Sequence, residues 1–464
     1  MLSNAMFVYD HQGYSYRDLH KSTLWLNRFF VENNVSRVLI CLPQGFTAYS
    51  AIISAYMSEV TFCCLNHSDP LEKKQMHINE LQPQVVICQK SDEKIDHHNI
   101  LYDYDIQLVA ETNGEIFNKA NNNVAYIYYT SGTTGKPKGV CIRRESFEHA
   151  VLWITNHFGI QSNDICSQYP NLNFDMSLVD IFVAAAAGAS LVPFSSFSDK
   201  LFPTKKIAEY GITFWNSVPG VIDMLERQNK LNHSVIHTIK KFKFGGDEIL
   251  PRHMKNIFAI QKDAKIFLSY GPTEVTLFCC CLSIHAGNYM QYAKHNMSLG
   301  ELLPGWNLLL TNVENGVGQI VIYGDLIGLG YLDQEQDGFR TLIIDGQPHR
   351  AYETGDYAQY LDGNLYFVCR KDMQVKLNGN RVDLSEITRI ARSQLSVEGC
   401  TIYHNKRIYF FYVSETISED KLRSMLQNHL PSYLIPHHVV PISFLPKNVN
   451  GKIDQAKLIE DYCL

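Results

Sequence analysis

The sequence predicts an α/β fold: a large N-terminal domain of mainly parallel sheets covered by helices, followed by a small α+β domain. Three observations predict it. Up to about residue 330, short apolar bursts such as residues 38–42 and 84–88 alternate with helix-length segments such as Tyr16–Glu32, and continuous apolar strands are what burial on both faces demands. Near residue 355 the pattern changes to hairpins. Finally, 464 residues that are 45% apolar and 19% charged supply a large core without a long run of like charge, which excludes a disordered or fibrous protein.

Residues 184–187, four alanines closed by Gly188, read as a helix packed closely on such a sheet, or simply as core. Residues 124–129 read as a buried strand that runs into Thr130-Ser131-Gly132-Thr133-Thr134-Gly135-Lys136-Pro137-Lys138-Gly139. This composition suits a phosphate. Glycines let backbone N–H groups approach an anion, hydroxyls donate to its oxygens, and Lys138 supplies a point charge. Pro137 and Lys138 break the G-x-x-x-x-G-K-[ST] pattern and no helix start follows, which argues against an ordinary P-loop NTPase. A solvent-exposed turn with incidental lysines is the plainer alternative.

Residues 358–361 and 364–367 flank Asp362-Gly363, a strong two-residue turn signal, and mark a different unit. Beyond Asp372, residues 384–395 have helical periodicity, residues 399–403 and 407–413 form a strand-like pair, and residues 418–430 form a helix. Together they make a compact α+β unit of roughly 90 residues. The division is 1–371 and 372–464, and with no Gly/Ser-rich linker the junction is expected to be a short hinge.

The formal charge of −6 offers no basic field for nucleic acid or an anionic membrane. The 12 cysteines are scattered, and the one cluster, Cys279-Cys280-Cys281, lacks the spacing of a zinc site. They are expected to be reduced and packed. No signal segment opens the chain and no run of about 18 apolar residues occurs, so neither secretion nor a membrane span is expected. The expected compartment is the cytoplasm.

With the 130–139 loop, five further segments resemble the adenylate-forming enzymes, in the family's order: Asn173-Phe174-Asp175-Met176-Ser177, Tyr270-Gly271-Pro272-Thr273-Glu274, Tyr352-Glu353-Thr354-Gly355-Asp356, Arg370-Lys371-Asp372-Met373-Gln374-Val375-Lys376 and Asn450-Gly451-Lys452-Ile453-Asp454. The resemblance spans nearly the whole chain. It is nearest to amino-acid-activating members, including stand-alone D-alanine carrier-protein ligases, through Phe244-Gly245-Gly246-Asp247-Glu248 and Tyr433-Leu434-Ile435-Pro436. Cys369 stands where the family commonly has glycine, and Asn380 and Val382 flank Arg381 in an otherwise matching segment. These departures bear on turn geometry and touch no charged role.

The resemblance implies a distorted barrel-like region in the large domain, a mobile small domain, and the cofactors ATP and Mg²⁺. Glu274 is the implied magnesium ligand, since Mg²⁺ prefers oxygen donors shared with phosphates; Thr273 donates to the α-phosphate. Asp356 can accept both ribose hydroxyls, Tyr270 stacks on adenine beside Gly271, Arg370 contacts the ribose, and Asp372 is the hinge. Lys452 is the implied catalytic cation, a long side chain entering a site built by the other domain, worth about 10²–10³ in rate.

Asp175 matches the carboxylate that pairs with the α-ammonium of an amino-acid substrate. Matching the family's pocket position by position adds Met176, Val179, Asn216, Lys243, Gly245, Ser269, Leu277 and Phe278. Gly245 leaves room, whereas Asn216, Ser269 and Lys243 add polarity. A buried Lys243 needs an anion, which a substrate side chain could supply; alternatively it snorkels outward. An acidic or polar amino acid and a small one such as alanine both stay open. No stretch resembles a carrier-domain attachment site, so the resemblance implies a separate phosphopantetheinylated carrier protein as acceptor. The competing classes are an AMP-forming acyl- or aryl-CoA synthetase and a nucleotide-binding protein without catalysis.

Overall fold

The computed structural model describes residues 4–9, 12–92, 94–108, 123–130, 137–332, 337–370, 374–377, 380–414, 416–446 and 453–463. Among them, one sheet of seven strands runs in the order Gly330–Tyr331, Lys138–Arg143, Val124–Thr130, Thr61–Cys64, Arg37–Cys41, Val85–Cys88 and Ile100–Tyr102. The five strands from Val124–Thr130 onward pair in parallel. A second sheet of nine strands has a parallel centre, Met6–Val8, Ser190–Pro193, Ile165–Gln168, Phe214–Ser217, Lys241–Gly245 and Lys265–Tyr270. These are the two-sided, continuously apolar strands that the sequence predicts.

Local chemistry sets the helices between them. Tyr16–Glu32 begins where Ser15 and Asp18 bond reciprocally, the Ser15 hydroxyl accepting from the Asp18 N–H and the Asp18 carboxylate accepting from the Ser15 N–H at 2.8 Å, a capping box. Met176–Ala187 carries the alanine run and stops at Gly188, whose φ of 69° suits glycine. Phe182 of that helix packs edge-on against Phe147 and Tyr56, tying it to the helices Arg144–Phe158 and Phe46–Met57.

The antiparallel region begins earlier than the sequence predicts. It starts at Asn307 rather than near residue 355: Asn307–Glu314, Val317–Tyr323, Phe339–Ile344, Gln347–Leu361 and Asn364–Arg370 form one sheet in which every pair is antiparallel. Ile320, Val321 and Ile322 are all buried, so their run reads like a parallel strand, and only the pairing distinguishes it. The predicted hairpin is present within this barrel-like region. Leu361 faces Asn364 across Asp362 (φ 50°) and Gly363 (φ 79°), as a type I′ turn requires.

Residues 384–459 build cores of their own. The strand Arg407–Val413 lies between Glu398–His404 and His438–Pro441, and its residues alternate between two clusters. Ile408, Phe410 and Tyr412 join Leu384, Ile387, Leu422 and Leu426 on one face, whereas Tyr409 and Phe411 join Ile402 and Leu458 on the other. The predicted helices are Ser385–Leu395 and Glu419–Gln427, the latter capped by Ser418. All 12 cysteines are free and ten are buried. Among the described residues no group of three or more His, Cys, Asp or Glu is arranged to hold a metal, and no helix is long and apolar enough to cross a membrane.

Candidate functional site

A cavity of about 620 Å³ opens at the carboxyl ends of the strands Val124–Thr130, Lys241–Gly245 and Lys265–Tyr270, where ligands of open α/β sheets bind. It gathers residues that are far apart in sequence. Thr130 borders it from the first strand; Asp175, Met176 and Val179 come from the start of the helix Met176–Ala187; Lys243, Ser269, Gly271, Thr273, Leu277 and Phe278 form the opposite wall; Asp356 and Arg370 close one side. Gly271 has a steric reason to be glycine: a Cβ there would lie 2.5 Å from the Phe278 Cα and 2.7 Å from the Cys279 nitrogen.

Asp356 and Arg370 are register partners on adjacent antiparallel strands, which brings their side chains together. The Arg370 guanidinium is 2.5 Å from Oδ1 of Asp356, and the Tyr270 hydroxyl donates to Oδ2 at 2.7 Å. The Asp356 backbone N–H donates to the Thr354 hydroxyl at 3.0 Å. Both oxygens expected to face a ribose are therefore already held by protein groups. Tyr270 is 6% exposed, and its hydroxyl is committed to orienting Asp356.

Thr273 and Glu274 stand on the short turn Thr273–Val275 after Pro272. Glu274 is fully buried, and Oε1 accepts from the Tyr331 hydroxyl at 2.9 Å. Lys138 pairs with Asp337 at 3.1 Å and lies over the Tyr331 ring, 5.0 Å from its centroid. Tyr331 thus links the carboxylate and the lysine of two separate motifs. No sequence signal marks it, because it comes from a two-residue strand, Gly330–Tyr331, whose role exists only through pairing with Lys138–Arg143.

Asp175 precedes the first turn of Met176–Ala187, and its Oδ2 is shielded and has no hydrogen-bond partner among the described residues. Burial pushes its carboxyl up to about 7; the charge of Glu274 adds to the rise, and a hydrogen bond from Thr273 opposes it. Lys243 is 1% exposed on its strand, so the outward-snorkelling alternative is overturned. Burial lowers its ammonium to about 8, partly offset by Asp180, a buried carboxylate behind the wall.

Asn216 and Gly245 take different places from those expected. Asn216 is fully buried, with its amide donating to Oδ1 of Asp180 at 2.8 Å. The room at Gly245 is used by the protein itself, since a Cβ there would lie 2.3 Å from the Ser269 hydroxyl and 3.4 Å from Nζ of Lys243. Ser131, Gly132, Thr133, Thr134, Gly135, Asp372 and Lys452 lie outside the described residues. Ser432, from the short turn Ser432–Leu434, and Lys200 also border the cavity, and no motif pointed to either.

Residues 3–332 match the family model described as AMP-binding enzyme. A D-alanine--D-alanyl carrier protein ligase of Staphylococcus haemolyticus is 29% identical over 430 residues, 88% of this chain and 86% of that protein. Bacitracin synthase 2 of Bacillus licheniformis is 25% identical over 474 residues, 98% of this chain, and the chain spans 18% of that protein's length. It spans 42% of the anguibactin system regulator of Vibrio anguillarum, to which it is 27% identical. The same fold occurs in the Vibrio cholerae adenylation domain AlmE, solved with glycyl-adenosine-5'-phosphate, with a TM-score of 0.84, 22% identity and coverage of 98% of this chain and 95% of that one. With a family match over most of its length, and with Thr130, Asp175, Thr273, Asp356 and Arg370 of five motifs at one cavity, the chain belongs to the AMP-binding enzyme family, the adenylate-forming enzymes its motifs resemble.

Proposed function

We propose that this chain activates the carboxylate of an α-amino acid with ATP, releasing pyrophosphate and forming an aminoacyl-adenylate, and then passes the acyl group to the phosphopantetheine thiol of a carrier protein. The observation that carries this reading is Asp175, a carboxylate at the head of a helix that opens on the same cavity as Thr130, Thr273 and Asp356. An α-ammonium is its natural counter-ion, and its positive charge offsets the burial that holds the carboxyl high. The similarity to a D-alanine--D-alanyl carrier protein ligase, and to an adenylation domain solved with glycyl-adenosine-5'-phosphate, supports an amino acid.

In this reading Thr130 and Thr273 contact the α-phosphate, and Asp356, oriented by Tyr270 and Arg370, accepts from the ribose. The buried Glu274 carboxylate fits a hard oxygen-seeking cation, and with no three-ligand cluster among the described residues the remaining ligands of a Mg²⁺ would be phosphate oxygens and water. Bound there, Mg²⁺ supplies charge neutralisation to the phosphates. Lys138 adds a cation beside the loop, and Lys452 spans carboxylate and phosphate during adenylation. Residues 1–371 form the core and 372–464 a lobe that swings about Asp372 between the half-reactions; Asp372→Pro should slow thioester formation while sparing adenylation, and normal thioesterification by it would remove the swing.

Amino-acid-dependent ATP–pyrophosphate exchange, run over the common L- and D-amino acids, tests the activity. Exchange should fall by about 10²–10³ in Lys452→Ala and be abolished for amino acids in Asp175→Ala. Exchange driven only by fatty or aryl acids would reverse the assignment to a CoA synthetase.

A further inference from the structure

The geometry points to a substrate with a second carboxylate, an amino acid whose acidic side chain is taken up by the ammonium of Lys243. This rests on the amino-acid reading above and narrows it to one substrate class.

Lys243 sits mid-strand in Lys241–Gly245, hydrogen-bonded on one side to Phe214–Ser217 and on the other to Lys265–Tyr270. Its side chain is 1% exposed yet borders the cavity. Among the described residues no carboxylate lies within 4.0 Å of Nζ, which lies over the face of Phe278, 5.3 Å from the ring centroid. A cation shielded this far with no carboxylate in contact carries a desolvation cost that an anion entering the cavity would offset.

The buried carboxylate behind it does not complete it. Asp180 gives Oδ1 to the Asn216 amide at 2.8 Å, and its Oδ2 is enclosed without a hydrogen-bond partner. Complete burial pushes that carboxyl well above its ordinary value, and no carboxylate oxygen of Asp180 comes within ion-pair distance of Nζ among the described residues. Asp175 also touches the cavity, and in the reading above its charge is committed to the α-ammonium. Met176, Val179 and Leu277 line the same cavity as these two charges, so a chain with an ammonium at one end and a carboxylate at the other meets a partner at each polar end and apolar contact along its methylenes. An apolar side chain would lie against an unpaired ammonium, and a basic one would add a second cation.

Exchange measured with the full chain over all common L- and D-amino acids decides the matter. Aspartate or glutamate, in either configuration, should exceed alanine, glycine, asparagine and glutamine in kcat/KM by roughly 100-fold, the discrimination expected when a buried charge loses its partner. Lys243→Met should lower the acidic substrate's kcat/KM by roughly 100-fold and narrow its lead over the matching amide. Exchange led by a neutral amino acid, in an order that Lys243→Met leaves unchanged, overturns the inference while leaving amino-acid adenylation intact. Exchange with fatty or aryl acids alone, or with no acid at all, overturns both. The wild-type scan stands even where the variant does not fold.

Discussion

The Tyr270 hydroxyl donates to Oδ2 of Asp356 at 2.7 Å, across 86 residues of sequence and between two different sheets. One residue ends a strand of the nine-stranded sheet and the other lies within the longest strand of the barrel-like region. The bond therefore couples the relative position of two layers to the orientation of one carboxylate.

Tyr270→Phe should leave Asp356 with Arg370 alone. A hydrogen bond to a charged group is worth about 1.5–3 kcal/mol, so the KM for ATP should rise about 10- to 100-fold with a smaller change in kcat. Varying ATP in the exchange assay reads this directly, and an unchanged KM would detach Asp356 from the nucleotide.

Asp175 makes stability depend on pH. Its carboxyl is raised to about 7 by burial, above the unfolded value of about 3.9. The folded state therefore holds this proton more tightly than the unfolded state, and its loss costs stability between roughly pH 4 and pH 7, in full above that. Asp175→Asn should be more stable than the wild type at pH 8, by on the order of 4 kcal/mol, with the advantage vanishing near pH 4. In the wild type the KM for the amino acid should rise as pH drops from 8 to 6, because the protonated carboxyl no longer attracts an ammonium. Melting curves and exchange kinetics across that range check both.

Glu274→Gln keeps an acceptor for Tyr331 but removes the charge from a fully buried position. The fold should survive, since a buried charge is replaced by an amide of similar shape. Exchange should then require several-fold more Mg²⁺ and fall by about 10²–10³ at saturation. A Mg²⁺ titration identical to the wild type's would exclude Glu274 as a metal ligand.

Gly271→Ala tests close packing at the cavity wall. The added methyl would lie 2.5 Å from backbone that cannot move aside freely, an overpacking cost of about 1–3 kcal/mol. Thermal melting should register the loss, and an unshifted melting temperature would mean the Phe278 backbone relaxes.

Sequence by itself determined the layers. Runs such as residues 38–42 and the Asp362-Gly363 turn act over a few neighbours, and each signal survives into the fold because its energetics are local. It also supplied most of the cavity's chemistry, since Asp175, Thr273, Asp356 and Arg370 stand in short motifs whose spacing is carried by the chain.

Tertiary structure alone decided who faces whom. The start of the antiparallel region at Asn307, the tie of Tyr331 to both Glu274 and Lys138, the use of the Gly245 gap by Ser269 and Lys243, and the enclosure of Lys243 all arise from pairing between distant strands. A lysine's side chain has the same composition whether it reaches water or not. Only the neighbours assembled on either side of its strand fix the dielectric around it, and so whether it is a solvated surface charge or a buried one in want of an anion.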